Sequence, residues 1–219
     1  TDRKEKKQYK LNIKTKKIEQ VNNNDTERAI VEINNDINSI VTAIILSKAL
    51  GKENVIGITM SVEEDAYSND IKRISNIFNI KTINFDLLDI YNKYKKEASN
   101  FGYFMYDETK ESNEELKSRM KMATLYYLAS LFGKMYNKNY RVVGTLNKDD
   151  LVKGNYTTGG ENVSDISLLE DFTLSEVIKL GQYFDIPNDI LYKNLSFEEE
   201  IEAKYFETFD SSNNKTRIK

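Results

Sequence analysis

Along residues 29–50, "AIVEINNDINSIVTAIILSKAL", β-branched positions run into a polar turn and the turn into a regularly apolar stretch. The pattern predicts a strand, a loop and a helix. Ile40, Ala43, Ile44 and Leu50 share one helical face, and Gly51 follows as a C-cap. Further strand-like runs are "NVIGITM" (54–60), "KTINFD" (81–86) and "YRVVGT" (140–145), each rich in Val, Ile or Thr. Between them, "EDAYSNDIKRISNIF" (64–78) aligns Ile71, Ile74 and Phe78 in one stripe. "NEELKSRMKMATLYYLASLFGKMY" (113–136) predicts the longest helix; from Met120 to Phe132 it is apolar almost all round, as expected of a helix buried in a core or an interface.

Strands that alternate with helices imply βαβ units. The expected fold is therefore α/β: a doubly wound, mostly parallel sheet of about five strands with helices on both faces. The first two strands are expected to flank the point where strand order reverses. After Thr145 the pattern changes to "NKDDLVKGNYTTGGENVSDISLLED" (147–171), a polar, glycine-containing stretch of the kind that lines a site. The remainder, "TLSEVIKLGQYFDIPNDILYKN" (173–194) and "FEEEIEAKYFETF" (197–209), reads as short helices, with Pro187 breaking the first. Residues 1–28 are expected to form a partly disordered basic arm, 29–210 a single domain and 211–219 a flexible tail.

Composition narrows the chemistry. The 219 residues suffice for one sizeable core. A net charge of −3 argues against wholesale nucleic-acid binding, although residues 1–17 hold eight Lys/Arg against two Asp/Glu. With no cysteine there is neither disulfide nor thiolate chemistry, and with no histidine the commonest general base and metal ligand are missing. Catalysis would have to use carboxylates, Lys, Tyr or positioning alone. No apolar run reaches membrane length and no secretory leader is read, so the expectation is a cytoplasmic protein with no membrane partner.

Four stretches then carry a resemblance. The loop "NNDINS" (34–39) occupies the slot of a Ser-Gly-Gly-x-Asp-Ser phosphate loop (PP-loop). "NEELKSRMKMATLYYLA" keeps Asn113, Arg119 and Met120 of an Asn…Arg-x-Arg-Met signature. "GTLNKDDL" (144–151) matches Gly-Thr-Gly-Asn-Lys-Ser-Glu-Leu, and "GNYTTGGENVSDI" (154–166) matches Gly-Tyr-Phe-Thr-Lys-Tyr-Gly-Asp-Gly-Gly-x-Asp-Ile without a gap. In order and spacing these resemble the ammonia-dependent NAD synthetases of the ATP-pyrophosphatase superfamily, over roughly residues 29–196. The resemblance implies the adenine nucleotide alpha hydrolase-like fold. It also implies an ATP site at Asn34, Asn35, Asp36, Ser39, Arg119 and Thr145, a substrate site at Asn113, Thr157, Thr158 and Asp165, and a Mg²⁺ site at Asn38 and Asp150. A homodimer through the 113–136 helix is implied as well.

The departures from that pattern weigh against turnover. Asn is the best non-glycine occupant of left-handed backbone, so Asn34 and Asn35 can hold the loop's path while filling space that ATP oxygens need. Asp36 sets a carboxylate at the helix start, where a like charge at about 4 Å costs roughly 4 kcal/mol at an effective dielectric near 20; as an N-cap it would stabilise the helix by about 1 kcal/mol. The family's metal-binding aspartate falls at Asn38 and its substrate-side lysine at Thr158. Gly144, Gly154 and Asp165 serve turn geometry and capping on the simplest reading, Arg119 a surface salt bridge, and Asp150 the cap of a short helix. The reading these departures support is a homologue that has lost catalysis and serves as a scaffold or interaction protein, a pseudoenzyme with no cofactor and with a protein partner in a larger assembly. The alternatives are a functional ammonia-dependent NAD synthetase using ATP and Mg²⁺, and a nucleotide-binding sensor without turnover.

Overall fold

β-Branched residues form the centre of a five-stranded, all-parallel sheet in the computed structural model, which describes residues 8–12, 17–21, 27–62, 69–100, 110–193 and 195. The strands are β3 (Arg28–Glu32), β4 (Val55–Ser61), β5 (Lys81–Asp86), β6 (Tyr140–Gly144) and β7 (Ile166–Ser167), in the order β5-β4-β3-β6-β7. Before them, β1 (Gln8–Asn12) and β2 (Lys17–Val21) pair antiparallel as a separate two-stranded sheet, where the sequence shows only weak alternation.

Side chains alternate across the central strands. Ala29, Val31 and Ile33 enter one core with α1 (Ile37–Leu50), α2 (Asn69–Phe78), α6 (Leu174–Tyr183) and α7 (Asn188–Leu191). Ile30, Ile58 and Val142 enter the other with α3 (Leu88–Ser99) and α4 (Lys110–Tyr136). Period-two alternation with both faces covered is what a buried parallel sheet requires. The expected doubly wound fold is therefore present. One detail differs: strand order reverses between β3 and β6, the first and fourth strands of the sheet, not between the first two. Ile30 and Val142, fully buried side by side, give β6 an apolar contact with β3 as Ile56 does for β4, and hydropathy alone does not order such strands.

The long helix is covered on one side only within this chain. Only Ser118, Met122, Leu125, Leu128 and Ala129 of α4 are buried, a stripe facing the sheet. Tyr127 is 62% and Met135 63% exposed, so within this chain the helix is amphipathic in packing though nearly uniform in composition. The helix expected over 197–209, the tail from Ser211 and most of the basic arm lie outside the described residues.

Candidate functional site

Ligand crevices in such sheets lie outside the carboxyl ends of the strands at the reversal point. Here that point is the gap between β3 and β6, and the loops following both strands meet in it. After β3, Asp36 N-caps α1 with extended backbone (φ −92°, ψ 151°) and accepts from the Ser39 N–H at 2.8 Å. Asn34 Oδ1 accepts from the Asp36 N–H at 2.9 Å and from the Ser39 hydroxyl at 2.7 Å. The cap expected of Asp36 and the C-cap expected of Gly51 (φ 88°) are both present.

Across the gap, α5 (Lys148–Lys153) starts with a reciprocal capping box. Asn147 Oδ1 accepts from the Asp150 N–H at 2.9 Å, and Asp150 Oδ2 accepts from the Asn147 N–H at 3.1 Å. The same Asp150 oxygen accepts from Asn38 Nδ2 at 3.1 Å, while Asn38 Oδ1 accepts from Asn147 Nδ2 at 3.2 Å. Two positions 112 residues apart, singled out as metal positions, are thus in direct contact. A cavity of about 150 Å³ opens beside them, lined by Asn35, Asp36, Asn38, Asn147 and Asp150 with Leu174 on its apolar side.

The loop after α5 lies over α4. Arg119 Nε donates to the Thr158 carbonyl at 3.0 Å, and its Nη2 pairs with Glu115 at 2.9 Å. Glu161 Oε2 accepts from the Thr157 N–H at 3.1 Å. A Cβ on Gly160 would stand 1.9 Å from Ser118 Oγ, so glycine there sets how closely loop and helix approach. The Asp165 carboxylate accepts from the Val142 N–H at 2.9 Å and from the Tyr126 hydroxyl at 3.3 Å, tying the turn before β7 to β6 and α4. Burial, with the Asp165 charge beside it, pushes the Tyr126 phenol up. Asn113 and Thr145 are both half-buried, Asn113 on the first turns of α4 and Thr145 directly after β6.

Two charged residues without a place in the family motifs complete the site. Lys121 Nζ on α4 lies 2.8 Å from Glu32 at the end of β3, both side chains largely covered. Burial works against the Lys121 ammonium, but the Glu32 carboxylate, with Asp36 and Glu161 beyond it, outweighs that and holds its pKa above the usual lysine value. Burial also pushes Asp36 above the usual carboxylate range, and the Glu32 charge adds to this, against the Ser39 N–H, Asn34 and Lys121. A lone Glu inside "AIVEI" and a lone Lys inside "MKMATLYY" were the available signal, since a charge in an apolar run needs a partner.

Mg²⁺ fits this arrangement only in part. Asp150 offers a carboxylate and Asn38 an amide oxygen, and among the described residues no group of three or more Asp, Glu, His or Cys gathers to hold a metal. Such a pair suits a cation that takes the rest of its shell from water and nucleotide phosphates, as Mg²⁺ commonly does.

The NAD synthase family model matches residues 11–201. The NH3-dependent NAD⁺ synthetase of Methanocaldococcus jannaschii is 32% identical over 210 residues, covering 89% of this chain and 74% of that protein. The enzyme of the same name from Methanococcus aeolicus is 30% identical over 180 residues, covering 80% of this chain and 66% of its own length. Among solved structures, the NH3-dependent NAD synthetase from Campylobacter jejuni superposes with a TM-score of 0.63 at 22% identity, covering 86% of this chain and 77% of that one.

Proposed function

The chain belongs to the NAD synthase family, and from that premise we propose that it is an ammonia-dependent ligase of the NAD synthetase type. In that reaction the carboxylate of deamido-NAD attacks the α-phosphorus of ATP and diphosphate leaves. Ammonia then attacks the acyl adenylate, a C–N bond forms, AMP departs and one proton passes to water. The observation that carries the proposal is the contact between Asn38 and Asp150, which joins the first and third loops at the sheet's reversal point beside a cavity.

Adenylation of this kind is achieved by positioning and charge neutralisation, so a chain without histidine can perform it. The α1 N-terminus supplies N–H groups and positive partial charge for a phosphate. Exposing them requires giving up the Asp36–Ser39 cap, worth about 1 kcal/mol, which a bound nucleotide readily offsets. Asp150 and Asn38 would hold Mg²⁺, which would lend positive charge to the departing diphosphate. Arg119 orients the Thr157–Thr158 loop through the Thr158 carbonyl.

A second reading, a scaffold without turnover, is favoured by one observation: the loop satisfies its own helix terminus through Asp36, Asn34 and Ser39. Conversion of deamido-NAD to NAD, followed chromatographically in ammonium buffer with Mg·ATP, separates the two. Accumulating NAD supports the ligase; a folded chain that forms none supports the scaffold. Either way, the exposed α4 face carrying Tyr127, Leu131 and Met135 suits a second copy of the chain.

A further inference from the structure

Glu32 ends β3 two residues before the first loop, and Lys121 reaches it from α4 to pair at 2.8 Å. The side chains keep 15% and 23% of their exposure, so the pair is largely covered, and both charges act on Asp36 of the first loop. Asp36 from the first loop and Glu161 from the loop over α4 also act on the same ammonium. One cation thus serves three carboxylates drawn from three different segments.

Arg119 spends its Nε on the Thr158 carbonyl and its Nη2 on Glu115. Thr158 is neutral where the family resemblance places a lysine. A triphosphate or acyl adenylate entering the first loop would meet Glu32 and Asp36, and among the described residues Lys121 is the cation paired with Glu32 and acting on Asp36. Lysine suits the task, because a compact ammonium on a flexible four-carbon stem can move from one anion to another without rearranging a planar fork.

We propose that Lys121 is the nucleotide-binding cation of this site: it exchanges Glu32 for a phosphate oxygen of ATP or of the acyl adenylate, and so takes over the role that Thr158 cannot fill. This rests on the ligase reading. Glu32 is then a placeholder that holds the ammonium beside the first loop between turnovers.

The test is a set of Mg·ATP titrations by calorimetry on the intact chain, comparing wild type, Lys121→Gln, Glu32→Gln and the double variant. The expected results are at least tenfold weaker binding for Lys121→Gln and several-fold tighter binding for Glu32→Gln. The double variant, whose net charge equals that of the wild type, should remain weaker than wild type because the phosphate's partner is gone. A merely structural pair gives the opposite pattern, with the double variant binding like wild type, and that result overturns the proposal. Should Lys121→Gln fail to fold, Glu32→Gln decides: tighter binding supports the exchange and unchanged or weaker binding overturns it. A wild-type chain that binds no ATP at millimolar concentration overturns the ligase reading itself, and this assignment with it.

Discussion

Replacing Asp36 by Asn isolates the charge at the first loop. The amide oxygen of Asn can accept the Ser39 N–H as Asp36 Oδ1 now does at 2.8 Å, and Asn caps helices about as well as Asp. What disappears is a carboxylate whose pKa burial, and then the neighbouring Glu32, push upward. A group with a raised folded-state pKa contributes stability that is fully present below its unfolded value, near 3.8, and lost as pH rises through the higher folded value. Above that window the wild type carries the cost of an ionised, desolvated Asp36, about 1.4 kcal/mol for every tenfold rise in its proton affinity on folding, and Asp36→Asn does not. The variant should therefore be the more stable protein at about pH 7, with the advantage shrinking as pH falls toward the ordinary carboxylate range. Asp36→Ala, which also loses the cap, should lie about 1 kcal/mol below Asp36→Asn. Nucleotide binding should respond as well. One like charge at about 4 Å costs at most roughly 4 kcal/mol, and Lys121 offsets part of it, so Mg·ATP should bind Asp36→Asn about tenfold more tightly, or roughly 1.4 kcal/mol. Urea unfolding at neutral and acidic pH with an unchanged m-value, together with calorimetry, reads both effects. An Asp36→Asn protein that is less stable than wild type at neutral pH, with unaltered nucleotide affinity, would refute the charge argument.

Gly160→Ala should cost about 1–3 kcal/mol by overpacking, because its new Cβ would meet Ser118 Oγ at 1.9 Å and Thr157 Cβ at 3.1 Å. Ser118→Ala should be neutral or stabilising by about 1 kcal/mol, since Ser118 Oγ is buried without a hydrogen-bond partner, and it should restore part of the Gly160→Ala loss in the double variant; thermal unfolding checks each. The intact chain should sediment as a dimer at micromolar concentration, and Met135→Glu on the exposed α4 face should shift it toward monomer while leaving its helical circular dichroism unchanged.

Local grammar was readable in the chain where one residue decides the outcome. Asp36 is the acceptor at the start of α1 and Gly51 the left-handed stop at its end, and both act as such. Four strand cores were recognisable as Val-, Ile- or Thr-rich runs, three of them (β3, β4 and β6) because inner parallel strands are covered on both faces. Neighbour choice was not: β4 and β6 both offer buried apolar residues to β3, so the position of the reversal beside β3 required tertiary information. The two-sided character of α4 was hidden for the opposite reason, since apolar side chains such as Tyr127 and Met135 occupy its outward face too. The site was legible as a set of loops but not as an electrostatic unit. Asp36 read alone is a repulsive carboxylate; only in three dimensions do Glu32, which adds to that repulsion, and Lys121, which partly offsets it, meet it from positions 89 apart in sequence. Asp165, at a position matching the family's substrate site, also accepts from the Val142 N–H of β6, a tie that the sequence did not show.

The claim that this crevice performs ATP-dependent amidation is tested most directly by counting NAD and AMP in one reaction mixture of the intact chain, deamido-NAD and Mg·ATP, with ammonium present or omitted. NAD and AMP should appear mole for mole with ammonium, and no NAD should form without it. Folded protein that yields neither product at millimolar substrates would contradict the claim.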